Sequence, residues 1–124
     1  MLRVVIARRL LGPGKILGVS VGSEAEAVQA EKEGADYLGA GAVFTTGTKQ
    51  DADYMDYYEL QKITGAVKIP VVAIGGIIET NGLQLKGSGV QGIAVVSAVF
   101  AKDDPKKAAE IMKRTALSIV SDDR

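Results

Sequence analysis

Apolar residues along this chain fall into short runs that switch between two spacings. Leu2, Val5, Ile6 and Leu10 stand at helical intervals among Arg3, Arg8 and Arg9, and Gly12-Pro13-Gly14 ends the pattern, so an opening helix is predicted. Lys15 to Val21 (KILGVSV) reads as a buried strand, and Ser23 with Glu26 forms a capping-box signature for a helix that Gly34 stops. Ala35 to Phe44 (ADYLGAGAVF) is a second apolar strand, after which a polar loop leads to Asp56, placed to cap a helix reaching Gly65. Ile69 to Ile74 (IPVVAI) is the third strand, followed by Gly75-Gly76 and a weaker helix near Thr80 to Lys86. Gly92 to Val96 (GIAVV) is the fourth. The last helix has Asp104 as cap, Pro105 at its first position and Ala108, Ile111, Met112, Thr115, Ala116 and Ile119 along one face, leaving Ser121 to Arg124 as a frayed tail.

Near-continuous apolar strands alternating with helices predict an α/β domain with a parallel sheet and right-handed crossovers. Four strand-helix units preceded by one helix are expected in a single domain over residues 1–124, too few strands to close a barrel. Helix-to-strand connections are tight (Gly34-Ala35, Gly87-Ser88-Gly89), whereas polar and Gly-rich material follows the strands: Gly22, Thr45 to Asp53, Gly75-Gly76, Ser97 to Asp104. In parallel α/β folds function sits on the loops at the C-terminal ends of strands, which puts this chain's chemistry there.

Charge and composition narrow that chemistry. With 15 Lys and Arg against 15 Asp and Glu, the chain lacks the basic excess of a nucleic-acid binder. No cysteine and no histidine are present, which removes disulfides, thiolate metal sites, cysteine nucleophiles and imidazole acid-base catalysis. Carboxylates, Lys, Tyr and backbone amides remain. The longest apolar runs, such as Ile93 to Ala101, fall well short of the roughly 20 residues of a membrane span, and the arginine-bearing start has no signal-peptide cleavage pattern. A cytoplasmic location with no membrane partner is expected.

Thr45-Thr46-Gly47-Thr48-Lys49 combines hydroxyls, a flexible backbone and a cation after the second strand, which suits a phosphate or diphosphate and equally describes a solvated turn. Gly75-Gly76 and Val96-Ser97 add amides that a ligand could approach closely, as in the phosphate site of (β/α)8 barrels after strands seven and eight, although a Gly pair also serves ordinary tight turns. Ser20 is a polar residue in an apolar strand, either a ligand contact or a core hydroxyl bonded to backbone. Asp51, Asp53 and Asp56 form either a weak magnesium site or solvated loop carboxylates. Tyr54, Tyr57 and Tyr58 beside them fit helix packing as well as stacking.

The segments GPGKILGVSVGS, GADYLGAGAVFTTGTKQDA, IPVVAIGGI and GIAVVSAVFAKDDP resemble, in order and spacing, the thiamine-phosphate synthase (thiamine-phosphate pyrophosphorylase) family. The shared features are the F-x-T-x-T-K loop (Phe44, Thr46, Thr48, Lys49), the IGGI turn and the VVSA strand end, and the resemblance spans nearly the whole chain. It implies the second half of a (β/α)8 barrel, strands five to eight with the helix before strand five. It also implies transfer chemistry in thiamine biosynthesis: an aminopyrimidine diphosphate loses pyrophosphate and the resulting cation is captured by a thiazole phosphate. Carried over by motif, Ser20 and Lys49 are the catalytic and pyrimidine-diphosphate residues, and Thr46, Gly47, Thr48, Gly75, Gly76, Val96 and Ser97 bind the thiazole phosphate. The family's magnesium ligands and basic diphosphate segment lie on the first half of the barrel, and no residue here matches them. Activity of this chain alone is therefore in question, and a homodimer or a complementing N-terminal half is the expected partner, because an open half-barrel exposes two edges and its inner wall. A thiazole tautomerase-like isomerase is a second reading, opposed by Gly22 where that type has histidine. A non-catalytic half-barrel that binds a phosphate ligand or assembles is the third.

Overall fold

A computed structural model describes residues 3–44 and 54–121 of the chain. Helix α1 (Val4–Leu11) leads into strand β1 (Gly18–Val21), helix α2 (Glu24–Lys32), strand β2 (Tyr37–Ala40), helix α3 (Tyr57–Ala66) and strand β3 (Val71–Ile74). A 3-10 turn over Gly82–Leu85, strand β4 (Gly92–Ala94), a short helix α4 (Ser97–Phe100) and helix α5 (Pro105–Val120) complete it. The four strands pair in parallel in the order β1-β2-β3-β4, with Val21 beside Ala40, Ala40 beside Ala73 and Ala73 beside Ile93. This is the parallel α/β sheet that the alternation of apolar runs predicts, and it is consistent with the half-barrel that the resemblance implies.

The strands are shorter than their apolar runs. Pro70 cannot donate to a ladder, and the third strand begins only after it. Residues 41–44 leave the ladder yet stay bonded to β3, through Val43 N–H to Ile74 O at 2.9 Å and Phe44 N–H to Gly75 O at 3.1 Å. The helix expected over Thr80 to Lys86 is only the 3-10 turn. Gly82 is buried against the Thr115 methyl of α5, where a Cβ would lie 2.8 Å away, and Gly87 and Gly89 take positive φ just beyond. The stretch after Val96 is not a plain loop, since α4 forms there.

Helix termini follow their side chains. Ser23 Oγ accepts from Glu26 N–H at 3.2 Å, Asp56 Oδ1 from Glu59 N–H at 2.8 Å and Asp104 Oδ1 from Lys107 N–H at 3.1 Å. Glu26 does not return to the Ser23 amide as a reciprocal capping box would; it accepts from Gly22 N–H at 2.7 Å. Gly34 ends α2 at φ +108.

Strand alternation divides the sheet into two unlike faces. Val21, Leu38, Ala40, Val71 and Ala73 are buried under the helices with Ala27, Leu60, Ile63 and Met112. The small methyl side chains of Ala27, Ala40 and Ala73 let helices and sheet approach closely. The opposite face carries Gly18, Ser20, Tyr37, Gly39, Val72, Ile74, Gly92 and Ala94; nothing covers it among the described residues, and Ser20, Tyr37 and Ala94 are exposed. On this face the Tyr37 ring lies across Gly18 and Ile74 reaches over Gly39.

Helix α1 has no buried residue, and the apolar stripe that predicts it is largely in solvent, with Leu10 76% exposed. It is held by Arg8. That guanidinium donates to Gly34 O at 2.7 Å, Lys15 O at 2.7 Å and Gly12 O at 3.1 Å, and pairs with Asp36. Leu17 N–H donates to Asp36 Oδ2 at 2.7 Å. The Leu17 amide first, and the Arg8 guanidinium second, hold the Asp36 carboxyl below its ordinary value of 3.8. A carboxyl depressed in the folded state stabilises above its unfolded pKa and loses that contribution as pH falls through the folded one. The Leu17 amide shift is therefore expected to stay constant at neutral pH and move below about pH 4. Asp36→Asn should remove that transition, and an unchanged titration would mean that another group holds the turn.

Candidate phosphate-binding site

Parallel pairing places the C-terminal ends of all four strands along one edge, so Ser20, the residues after Ala40, Gly75-Gly76 and Val96-Ser97 come to the same side of the sheet. A cleft of about 260 Å³ lies there, lined by Gly41, Ala42, Ile74 and Gly75. Ser20 faces solvent on the uncovered face, which removes the alternative of a core hydroxyl. It borders a larger groove of about 510 Å³ that runs between β1 and α2 past Val19, Glu26 and Gln29.

The Gly75-Gly76 turn is the best defined part of the site. Gly75 has φ +105 and Gly76 φ +64, backbone that L side chains rarely adopt. A Cβ on Gly75 would stand 2.6 Å from Ala42 Cβ, and one on Gly76 2.7 Å from Phe44 O. Both glycines are therefore required first by the neighbouring segment of their own chain, before any ligand. The carbonyls of the turn are occupied: Ile74 O by Val43 N–H, Gly75 O by Phe44 N–H, Gly76 O by the Asn81 side-chain amide at 2.9 Å. No hydrogen bond among the described residues uses the amides of Gly76 or Ile77.

At β4 the Val96 carbonyl accepts from Val99 N–H at 3.1 Å and Phe100 N–H at 2.8 Å. Its peptide thereby directs the Ser97 amide away from α4, as first-turn amides of a helix must point. Val96 and Ser97 are both exposed. The Gly76 and Ile77 amides and the first amides of α4 thus follow two neighbouring strands, and successive backbone amides of this kind favour an anion.

Thr46, Gly47, Thr48, Lys49, Asp51 and Asp53 lie outside the described residues. Asp56 caps α3, so its carboxylate is committed to backbone, and Tyr57 donates its hydroxyl to Lys86 O at 2.9 Å. Among the described residues no three acidic side chains converge, so they do not form a magnesium shell. Asn81 is the site residue that sequence reasoning misses; its signal is an Asn five positions after a Gly-Gly turn, where a side-chain amide can substitute for backbone.

The fold is shared with known proteins. The family model described as thiamine monophosphate synthase matches residues 1–99. The thiamine-phosphate synthase of Clostridium beijerinckii is 51% identical over 114 residues, covering 92% of this chain and 54% of that protein. The one from Pyrococcus furiosus is 52% identical over 104 residues, covering 84% of this chain and 50% of its own length. The solved structure of thiamine phosphate pyrophosphorylase from Pyrococcus furiosus superposes with a TM-score of 0.85 at 44% identity, covering 97% of this chain and 57% of that one. The chain thus spans about half the length of the curated relatives it matches. Because the family model takes in all four described strands together with the Gly75-Gly76 and Val96-Ser97 turns, the chain belongs to the thiamine monophosphate synthase family.

Proposed function

We propose that this chain supplies the thiazole-phosphate half of a thiamine-phosphate synthase site, the complete site joining an aminopyrimidine diphosphate to a thiazole phosphate with release of pyrophosphate. The observation that carries this reading is the Gly75-Gly76 turn, whose Gly76 and Ile77 amides no described residue uses and which follows β3, the strand paired with the β4 that leads to α4. The relatives' name, thiamine-phosphate synthase, supports a reaction of this kind, and its substrates are those that the family resemblance implies.

In that reaction the C–O bond between the pyrimidine methylene and the diphosphate breaks, pyrophosphate leaves with the electron pair, and the thiazole nitrogen lone pair forms the new C–N bond. No general base is needed. What the reaction demands is positive charge on the departing diphosphate and a fixed orientation of the second substrate. Lys49 and Ser20 are assigned to the diphosphate, and Thr46, Gly47, Thr48, Gly75, Gly76, Val96 and Ser97 to the thiazole phosphate. Amides in a rigid turn suit this work because they cost no reorganisation when the phosphate arrives. Magnesium, which the family resemblance implies, would be held by residues beyond those described. A cytoplasmic setting fits a pathway of small phosphorylated substrates, and no described helix is long and apolar enough to cross a membrane.

The sheet supports a partner. Among the described residues, β1 and β4 are open parallel edges and the face bearing Ser20 and Tyr37 is uncovered. Further strands are proposed to close the barrel over this face, from a complementing first half or a second copy of the chain. A monomeric mass by light scattering at micromolar concentration would exclude the second copy.

The purified chain is expected to bind thiazole phosphate but to form no thiamine phosphate from both substrates and magnesium until a first-half polypeptide is added. Failure to bind thiazole phosphate would overturn the reading. Within it, Lys49→Ala is expected to weaken diphosphate binding about tenfold with little change for thiazole phosphate, and Thr48→Ala to do the reverse. Equal effects on both ligands would show that the two roles are misassigned.

A further inference from the structure

We propose that Asn81 is a positioning residue for the phosphate, acting through the peptide between Gly76 and Ile77. The inference rests on the phosphate reading of the Gly75-Gly76 turn. Asn81 uses both ends of its side-chain amide on that turn: Nδ2 donates to Gly76 O at 2.9 Å, and Oδ1 accepts from Ile78 N–H at 2.8 Å. Its backbone is engaged as well, with Asn81 N–H donating to Ile78 O at 3.3 Å and Gly82 N–H to the same oxygen at 2.9 Å. The residue is half-buried and its partners are all main chain, so neither its rotamer nor the turn moves independently.

The consequence is geometric. In a trans peptide the carbonyl and the following N–H point in opposite directions. Phe44 N–H anchors Gly75 O, which directs the Gly76 amide away from Phe44. Asn81 anchors Gly76 O in the same way, which directs the Ile77 amide away from Asn81. Two successive amides are thereby aimed by two different partners, one from the neighbouring segment and one from a side chain. Without Asn81, the Gly76–Ile77 peptide would have no such anchor, and glycine is the residue least able to resist rotation on its own. Asn81 touches no substrate in this scheme; it decides which way a donor faces.

Asn81→Asp separates the two bonds, because a carboxylate still accepts from Ile78 N–H but confronts Gly76 O with an acceptor. Asn81→Ala removes both. The test is calorimetric titration of the chain and both variants with thiazole phosphate and with inorganic phosphate, alongside amide spectra of the wild-type chain during the same titration. Asn81→Asp is expected to weaken thiazole-phosphate binding about tenfold or more, the size of one lost charge-assisted hydrogen bond. In the wild-type chain, the Gly76 and Ile77 amides are expected to shift on titration, a measurement that does not depend on any variant folding. A merely structural Asn81 would lower the melting temperature of the variants and leave the dissociation constant of the folded protein unchanged, which overturns the proposal. So does wild-type binding without a shift at Ile77. A wild-type chain that binds neither probe defeats the phosphate reading itself, an outcome distinct from undiminished binding by Asn81→Asp.

Discussion

Replacing Gly75 by Val is expected to weaken thiazole-phosphate binding about a hundredfold and to lower stability by about 3 kcal/mol. The backbone sits at φ +105, where any Cβ is strained. That Cβ would also stand 2.6 Å from Ala42 Cβ, 2.7 Å from Ala42 Cα and 3.2 Å from Val43 N, none of which is the free end of a flexible side chain. Relief requires the two segments to part, which breaks the Val43 N–H to Ile74 O and Phe44 N–H to Gly75 O bonds and releases the amides they aim. Gly75→Ala separates this account from simple blocking of a ligand by a bulky side chain. A methyl group would barely obstruct a phosphate, but it meets the same clash, so Ala is expected to be nearly as damaging as Val. Urea unfolding and phosphate titration of both variants decide the matter, and normal binding by the Ala variant would reduce the glycine to a steric gate.

The second large effect is expected at Leu38. This side chain is fully buried on β2, the strand bonded on both sides, and lies among Ala27, Val71 and Ile63 in the core under the helices. Leu38→Ala should cost about 3 kcal/mol, the sum of lost apolar burial and the cavity left behind. Against a total of about 5–15 kcal/mol for a domain this is a large fraction, and the midpoint of thermal unfolding should fall by about 10 °C. Tyr37, its neighbour on the uncovered face, makes the informative comparison. Tyr37→Ala should change the isolated chain much less, because its ring lies over Gly18 in contact with solvent. Equal losses at the two positions would show that the uncovered face is packed in solution, as closure by further strands would produce.

Much of the site was legible because its signals are local. A glycine pair, a strand end and hydroxyls beside a lysine are all features of neighbouring residues, and they single out Gly75, Gly76, Val96 and Ser97 in the sequence. Their reasons were less accessible. The glycine pair reads as room for a ligand, whereas the nearest atoms belong to Ala42 and Phe44. Asn81 carries no motif in an apolar-polar pattern, since its partners are main-chain groups that every residue has. Arg8 reads as one of two surface arginines, yet it gathers three carbonyls from two connections and a carboxylate that meet only after folding.

The amino-acid sequence by itself determined the order of helices and strands, the caps Ser23, Asp56 and Asp104, the glycine that ends α2 and the parallel character of the sheet. Each depends on backbone propensity, side-chain hydrogen bonds a few residues long, or periodicity within one segment, all of which operate before distant parts of the chain meet. Tertiary structure alone decided that the stretch after Thr80 would tighten to a single 3-10 turn against Thr115, that α4 would form after Val96, and that no described residue would cover one face of the sheet. It also decided where the amides of the Gly75-Gly76 turn face. Those outcomes depend on contacts between segments far apart in the chain, where burial and the demand that every backbone polar group find a partner outweigh local preference.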